Sequence, residues 1–459
     1  MSLYDIERAE GGSLLWRMSK KFDFAAERII PDPLVFCMIF TVVIFGAGVL
    51  VTGNGPLTMA QFWYDGIWSQ AAFAFQMAFM VVCCAVTARS AQVSRGLDLL
   101  AGVVRRPATA VLLLMVFGYL ASFVNWAFAL IVTPVLAMAL SQRIRGLHFP
   151  MLIAAGYSTM ILGQCLSPTG TIYALLAGDH PMADKIGVIP QTVTTYNPMN
   201  IVIWVLLAGL TTLIAMMTRP SDHEVVEFNQ EVTPNVAPTP ETEDHTGSIA
   251  ERLNGSRVLM WAIGTLGAVM IGFTVARNGL FASLSLSFVI FVFLIANFFL
   301  YNTPARFIAA YRENLKLATD VMIQFPFYGG IAGMMANSGL ATVVVGFFAS
   351  ISTANTLPFF TYLSSSLVNL FIPSQGGQWI VQGEITVDAA IQTGADLPLI
   401  INAFVYGDQA TNLLQPLYVI PALAVVGMRL RDVWGYMAFL WSIWFAVTSI
   451  LLLSVSFFL

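Results

Sequence analysis

The sequence predicts an all-α polytopic membrane protein with about nine crossing helices and two re-entrant hairpins, arranged as inverted-topology repeats. Of the 459 residues, 58% are hydrophobic and only 10% are charged, whereas roughly 25% are charged in an ordinary soluble domain. The apolar residues fall in runs of membrane-spanning length, and the basic residues gather in a few of the loops. The net charge of −4 and the lack of a basic patch argue against a nucleic-acid-binding protein.

Nine apolar runs are each long enough for one crossing, which requires roughly 20 apolar residues. They are residues 34–52, 71–88, 150–177, 199–218, 258–275, 280–301, 319–336, 396–428 and 434–458. Two further apolar stretches, 108–140 and 354–383, are too long for one helix, and a polar break interrupts each of them. These two stretches are predicted to be helical hairpins that enter the membrane and return on the same side.

The Lys and Arg positions predict the orientation, because cytoplasmic loops carry an excess of basic residues. Residues 1–33 carry five of them, whereas residues 53–70 and 337–395 carry none. The N-terminus is therefore predicted to be cytoplasmic and the C-terminus to be outside, in the inner (cytoplasmic) membrane. On this orientation, only Lys185 and Arg277 of the 21 basic residues face outward.

The predicted organisation has five parts. They are a cytoplasmic N-terminal segment (1–33), a first repeat (34–218) with hairpin 108–140, a cytoplasmic linker (219–257), a connecting helix (258–275), and a second repeat (280–459) with hairpin 354–383. The linker holds Thr-Pro repeats, eight acids and three Arg, a composition typical of disordered segments. The connecting helix resets the orientation between the halves.

A short internal repeat supports the division into halves. Ser122-Phe-Val-Asn125 in the first half has a counterpart, Ser366-Leu-Val-Asn369, in the second. The first Asn follows Gly96 by 29 residues, and the second follows Gly339 by 30. A Gln-x-x-Phe motif precedes each copy, and the helices around the copies run in opposite directions on the predicted orientation. Inverted repeats of this kind are typical of secondary transporters.

Four breaks in the apolar runs predict a binding site, because an unpaired backbone group in lipid costs several kcal/mol. Two are the hairpin tips, at Ser122–Trp126 and Ser364–Gln378. The other two interrupt corresponding crossings of the two halves, one at 163–171 and one that begins at 406–412 and ends at Gln415-Pro416. Paired interruptions of this kind are the pattern that points to a transporter site. After Pro373 the second tip carries two glycines, which let backbone N–H groups approach an anion. The alternative is a plain hairpin turn.

Asp408 is the one acid predicted at mid-membrane within such a break. A charge there is costly and is a functional hypothesis by default. Asp408 is expected to ligate a cation or carry a proton, and the alternative is a helix N-cap. No Lys or Arg is predicted inside the membrane, so an anionic substrate would be met by backbone N–H groups, amide and hydroxyl donors, and a co-transported cation. No cofactor is predicted, and no metal other than Na⁺ as coupling ion.

Two long motifs, Leu367–Gly383 (LVNLFIPSQGGQWIVQG) and Val405–Pro416 (VYGDQATNLLQP), resemble signatures of the short-chain fatty acid transporter family. Asp32-Pro33 and Phe123–Phe128 fit the family too, and the resemblance spans almost the whole chain. The family is similar to other branches of the ion transporter superfamily. The resemblance implies uptake of short monocarboxylates such as butyrate or acetoacetate, coupled to Na⁺ or H⁺, by a homodimer with an elevator-type mechanism.

The resemblance also implies site residues, because hairpin-tip Ser and Asn side chains bind the cation and the substrate carboxylate in this superfamily. The substrate-binding residues predicted from the motifs and the resemblance are Ser122, Asn125, Thr169, Thr171, Asn369, Ser374, Gln375, Gly376, Gly377 and Gln378. The predicted cation-binding residues are Asn125, Asn369, Asp408 and Asn412. The chain departs from the family pattern at Gln375, at Glu384 and over 164–171, which leaves the exact substrate open.

The leading hypothesis is therefore a secondary active transporter, with a small carboxylate, Na⁺ or H⁺, the lipid bilayer and a second copy of the chain as partners. A dicarboxylate transporter or a cation/proton antiporter on the same fold is the alternative. A channel would need a ring of acids or a carbonyl filter. A membrane-embedded enzyme would need a nucleophile–base pair or a Cys/His cluster. Neither pattern is evident, so no enzymatic activity is predicted.

Overall fold

A computed structural model describes residues 12–29, 32–178, 180, 182–228 and 248–455, and these residues form helices without a β-strand. The first half contains α1 (Leu14–Ile29), α2 (Pro33–Val51), α3 (Pro56–Ser69), α4 (Ala71–Ala88), α5 (Ala91–Ala101), α6 (Pro107–Val124), α7 (Trp126–Arg143), α8 (Phe149–Gly163), α9 (Thr171–Leu176), α10 (Ala183–Ile186) and α11 (Pro198–Met217).

The rest of the chain contains α12 (Ile249–Asn254), α13 (Arg257–Asn278), α14 (Leu280–Ser283), α15 (Leu286–Tyr301), α16 (Pro304–Asn314), α17 (Thr319–Asn337), α18 (Leu340–Ser350), α19 (Leu357–Asn369), α20 (Gln375–Thr393), α21 (Leu397–Asn412), α22 (Pro416–Val426) and α23 (Trp434–Val455). The all-α class is confirmed. The Thr-Pro part of the predicted linker, 229–247, lies outside the described residues.

Six described helices are long and apolar enough to cross a membrane, and the number reaches eight if each of two bent pairs is one span. The six are Pro33–Val51, Pro56–Ala88 (α3 and α4 taken together), Pro107–Val124, Pro198–Met217, Ile249–Asn278 (α12 and α13 taken together) and Trp434–Ser454. The bent pairs are Pro304–Asn337 with Leu340–Ser350, at 56°, and Leu397–Asn412 with Pro416–Val426, at 48°. This set of apolar helices confirms the class of a polytopic membrane protein.

The remaining predicted crossings are shorter than expected. The runs 150–177 and 280–301 contain apolar helices of only 15 and 16 residues, α8 and α15. Residues 53–70 lie between the first two predicted crossings, and most of them form helix α3. This helix begins at Pro56, and proline is a favoured first residue of a helix. Charge position predicted the side of this segment but carried no information on its backbone conformation.

Both predicted hairpins are present as paired helices that pack on each other. In the first, only Asn125 separates α6 from α7, and its backbone is extended (φ −166°, ψ 140°). In the second, residues 370–374 separate α19 from α20. The second arm, α20, continues to Thr393, ten residues beyond the predicted end, and Thr386, Val387, Ala389 and Ala390 continue its buried face there.

Both predicted helix breaks also occur, but the second is shorter than predicted. The break between α8 and α9 covers 164–170, close to the prediction. The second break was predicted to run from Tyr406 to Gln415-Pro416, whereas the structure continues α21 through Asn412 and leaves only 413–415 outside a helix, just before Pro416. Proline disfavours the helical conformation in the residue before it. Asp408 is therefore inside a helix and is not an N-cap; Gln415 caps α22 by accepting a hydrogen bond from the Leu417 N–H.

The order of elements recurs in the two halves. A long helix, an 11-residue helix, a hairpin, a broken helix and a second long helix follow one another as α4, α5, α6–α7, α8–α9 and α11, and again as α17, α18, α19–α20, α21–α22 and α23. The broken helices occupy the centre, since every residue of α8 and of Leu399–Asn412 is buried. The fold therefore surrounds the polar residues of α21 with protein on all sides.

Candidate functional site

A cavity of about 200 Å³ lies where the hairpins and the broken helices meet. Its walls come from both halves of the chain, and no described residue that lines it carries a charged side chain. The lining residues are Phe73, Trp126, Met160, Ile161, Gln164, Thr171, Ser374, Gln375, Gly376, Gln409, Asn412 and Tyr418. They divide into a polar group of amides and hydroxyls and an apolar group dominated by aromatic rings.

Three helices of eleven residues or more begin at this cavity. The first residue of α7, Trp126, lines it, as do Gln375 and Gly376 at the start of α20 and Tyr418 in the first turn of α22. The first N–H groups of a helix lack intrahelical partners and carry the positive end of its dipole. The helix N-termini on this wall therefore favour a negatively charged group, although no Lys or Arg is among the lining residues that the structure describes.

Gln375 connects three elements at the polar wall. Its side-chain oxygen accepts a hydrogen bond from the Ile172 N–H at 3.1 Å, and its Nε2 donates to Asp408 Oδ2 at 3.3 Å. The residue belongs to α20, whereas its partners belong to α9 and α21. Gln375 thus ties the second hairpin to both broken helices.

Asp408 lies directly behind the cavity wall. It is fully buried, and its Oδ2 accepts hydrogen bonds from the amides of Gln409 at 2.9 Å, Gln375 at 3.3 Å and Asn412 at 3.4 Å. All three donors line the cavity, so a single layer of amides separates the carboxylate from it. The other oxygen, Oδ1, is buried without a hydrogen-bond partner among the described residues.

Asn369 holds a second unpaired oxygen beside Asp408. Its Nδ2 donates to the Asp408 carbonyl at 2.7 Å, to Asn412 Oδ1 at 2.9 Å and to Thr411 Oγ1 at 3.0 Å. Its Oδ1 is buried and has no partner in the part of the chain that the structure describes. Buried polar atoms are nearly always paired, so two unpaired oxygens on contacting residues need an explanation. A bound cation, or a proton on the carboxylate, would supply one.

The predicted residues of the first hairpin mainly bond to backbone carbonyls. Ser122 Oγ donates to the Met160 carbonyl at 3.0 Å, and Asn125 Nδ2 donates to the Leu284 carbonyl at 2.8 Å. Thr169 Oγ1 donates to the Val124 carbonyl at 3.3 Å, at the end of α6. The last carbonyls of a helix lack intrahelical partners. Of the first-half residues predicted to bind substrate, only Thr171 lines the cavity.

The predicted residues of the second hairpin divide between the cavity and the protein interior. Ser374, Gln375 and Gly376 line the cavity, and Ser374 Oγ caps α20 by accepting from the Gly377 N–H at 3.4 Å. Gln378 is fully buried and donates to the Ser365 carbonyl at 2.9 Å. Gly377 and Gln378 therefore shape the start of the helix and do not line the cavity.

The aromatic wall was not predicted. Trp126 meets Tyr418 edge to face, with ring centroids 5.6 Å apart, and Phe73 packs against Phe325 at 5.7 Å. Trp126 is the first residue after the break at Asn125, and Tyr418 is the third residue of the helix that follows the break at 413–415. Their positions close to breaks could have predicted that they line the cavity. Phe73 gave no signal, because an aromatic residue inside an apolar run has the same appearance whether it faces lipid or a cavity.

The described residues contain no group of three or more His, Cys, Asp or Glu side chains that could hold a metal ion. A cation at Asp408 would therefore have oxygen ligands from one carboxylate and from amides. Hard cations such as Na⁺ suit ligands of that kind.

The chain matches the family model described as "Short chain fatty acid transporter" over residues 14–458. It is 32% identical over 424 residues to a candidate short-chain fatty acid transporter of Escherichia coli K12, covering 92% of this chain and 96% of that protein. A protein of the same description from Haemophilus influenzae is 31% identical over 433 residues, with the same coverage. Among solved structures, the YdaH transporter of Alcanivorax borkumensis aligns with a TM-score of 0.44 and 14% identity, covering 92% of this chain and 98% of that chain. This chain belongs to the short-chain fatty acid transporter family, whose relatives named here are transporters and not enzymes.

Proposed function

We propose that the chain takes up short-chain monocarboxylates such as butyrate or acetoacetate by secondary active transport coupled to Na⁺ or H⁺. The observation that carries the proposal is the uncharged cavity with helix N-termini on its wall and the buried carboxylate of Asp408 behind it. Its volume of about 200 Å³ is below the roughly 300–1,000 Å³ of pockets for drug-sized ligands. A cavity of that size suits a ligand of a few carbon atoms.

The substrate carboxylate would lie at the polar wall, against the start of α20. The Gly376 N–H, the hydroxyls of Ser374 and Thr171, and the Gln164 amide would donate to it. Hydrogen bonds to a charged group contribute about 1.5–3 kcal/mol each, and a helix N-terminus about 0.3–1 kcal/mol. A few such donors can replace the hydration of one carboxylate. A second carboxylate would have only the aromatic wall to face.

The coupling cation would neutralise Asp408. Two unit negative charges separated by one side-chain layer, about 7 Å, repel by about 2 kcal/mol at an effective dielectric constant of about 20. An ionised Asp408 would therefore weaken substrate binding, and a cation or proton there would restore it. Asp408, Asn369 and Asn412 are the residues proposed to hold it. Asn125 is not included, because its Oδ1, the atom that would ligate a cation, accepts a hydrogen bond from the Phe128 N–H at 3.4 Å.

We also propose that the two halves are inverted repeats in the inner membrane, with a cytoplasmic N-terminus and an outer C-terminus. The repeated order of elements and the distribution of basic residues support this arrangement. A homodimer that works by an elevator-type movement is proposed on the family resemblance. The two broken helices and the two hairpins would then carry the cavity together.

Cation/proton exchange is a second candidate, favoured by one observation. Asp408 is buried without a basic partner among its hydrogen-bonded neighbours, as a group that binds protons and cations in turn would be. In that case the cavity would serve as the water-filled approach to Asp408, and no carboxylate would bind in it.

The test is uptake of labelled butyrate into proteoliposomes, under an inward Na⁺ gradient at fixed pH and, separately, under a pH gradient without Na⁺. We expect saturable accumulation under one of the two gradients and none in empty liposomes. Proton movement driven by Na⁺ without butyrate would favour the antiporter. Absence of accumulation under both gradients, with no thermal stabilisation by butyrate, would contradict the proposed substrate.

A further inference from the structure

Helix α1 lies outside the site described above, beside the starts of two helices that could span the membrane. Its last residue, Ile29, is followed within a few residues by α2, which is long and apolar enough to span. Its middle packs on the start of another such helix, α23: a Cβ on Gly435 would overlap the Asp23 backbone. Because two candidate spans begin beside it, α1 is placed where the polar headgroups of the bilayer begin.

One face of α1 is fixed against the protein. Trp16 is buried, stacks on Tyr436 with ring centroids 5.9 Å apart, and donates its indole N–H to Glu224 at 2.6 Å. Asp23 is buried, forms an ion pair with Lys20 at 3.1 Å, and accepts a hydrogen bond from the Tyr436 hydroxyl at 3.3 Å. These contacts determine which side of the helix faces outward.

The opposite face of α1 carries basic and apolar side chains together. Arg17, Lys21 and Arg28 are exposed, and at 3.6 residues per turn they fall within an arc of about 40°. Leu14 and Met18 beside them are 66% and 43% exposed. We call these five residues the basic face. Asp23, described above, is at another position around the helix.

We propose that the basic face binds the headgroups of anionic phospholipids in the membrane that the chain spans. Lys and Arg interspersed with exposed apolar residues are typical of helices that lie in the membrane interface. Negatively charged lipid surfaces attract such basic segments, and the attraction falls off within a Debye length. The buried face holds the helix itself against the protein, so the lipid does not have to order the helix first.

The chain's own linker is the competing occupant, because it contains Glu231, Glu241, Glu243 and Asp244. The position of α1 favours lipid. Headgroups are present beside α1 at high local concentration, and they accommodate the apolar Leu14 and Met18, whereas an acidic segment offers those two residues no partner.

The test compares two lipids with the same acyl chains, phosphatidylglycerol and phosphatidylcholine. Each is titrated onto the purified full-length chain in detergent, and the unfolding midpoint is measured. We expect phosphatidylglycerol to raise the midpoint by roughly 2–6 °C more than phosphatidylcholine does. High salt should remove the difference. Native mass spectrometry should show retained phosphatidylglycerol.

The decisive variant is R17Q/K21Q/R28Q, and R252Q/R257Q/R277Q is the control with the same change of net charge. The first should lose the selective stabilisation and the second should keep it. If the first triple variant does not fold, R17Q and K21Q alone should each lose part of the effect. Equal stabilisation of both triple variants, or equal loss in both, would overturn the proposal. So would a larger response to phosphatidylglycerol in E231Q/E241Q/E243Q/D244N, because it would assign the face to the linker.

Discussion

The two hairpin tips share a Ser-x-Val-Asn motif, yet the structure uses the two Asn side chains differently. At the first tip a single residue breaks the helix, and Asn125 donates to a backbone carbonyl, that of Leu284. At the second tip five residues separate the helices. Asn369 there contacts Asp408, Thr411 and Asn412 and retains an unpaired oxygen.

The difference follows from what each hairpin packs against. The first packs on α8, whose buried residues are almost all apolar, so its tip is satisfied by backbone carbonyls. The second packs on α21, which presents Asp408, Gln409, Thr411 and Asn412. A shared motif therefore indicates a shared fold position, whereas the chemistry at that position depends on the neighbouring helix.

The largest expected effect is that of Asp408→Asn. Losing the charge removes the proposed cation ligand, and we expect cation-driven butyrate uptake to fall roughly 100-fold or more at equal protein in the membrane. Asp396→Asn is the matched control, since Asp396 caps the same helix through the Leu399 N–H and asparagine caps equally well. Uptake in D408N equal to that in D396N would remove Asp408 from the site.

Asn369→Ala and Asn125→Ala test the comparison directly. The first loses three hydrogen bonds beside Asp408, and we expect uptake to fall roughly 10- to 100-fold with a higher cation concentration for half-maximal rate. The second loses its bond to Leu284, and we expect a loss of about fivefold with no change in cation dependence. If N125A shifted the cation dependence as far as N369A, the two tips would be functionally equivalent.

Trp126→Ala should change chain-length preference more than rate. The substitution removes part of the aromatic wall, and each substrate CH₂ group that the enlarged cavity buries makes binding more favourable by about 0.8 kcal/mol. We expect the affinity for hexanoate, measured by competition for uptake, to increase about tenfold relative to that for butyrate. Trp204→Ala is the control, because Trp204 bonds to the Leu162 carbonyl and does not line the cavity. An unchanged preference in W126A would show that Trp126 does not limit chain length.

The smallest expected effect concerns the start of α8, the helix that supports the first tip. Burial, with a smaller contribution from the charge on Lys20, lowers the pKa of His148 to about 3. The unfolded chain binds this proton near pH 6.5 and the folded chain does not, so stability is lost as the pH falls below about 6.5. The unfolding midpoint should therefore be lower at pH 5 than at pH 7, and this decrease should be smaller in H148Q. An equal decrease of the midpoint in both proteins would contradict the assignment to His148.

Local patterns in the sequence were enough to predict the membrane class, the two packed helix pairs and the break near 164–170. Apolar run length and the positions of proline, glycine and basic residues reflect local free-energy costs in lipid, and those costs do not depend on which helices become neighbours. The first tip was predicted at Ser122–Trp126 for this reason, and Asn125 is the one residue there that separates the two helices.

Which residues line the cavity depends on the tertiary structure. Asp408 was predicted to be functional and to lie in a break, whereas it lies inside α21, and the break follows at 413–415. Phe73 joined the cavity only through helix packing. Spatial proximity of α4, α7, α20 and α21 is a property of how helices pack, and local sequence patterns do not encode which buried faces meet.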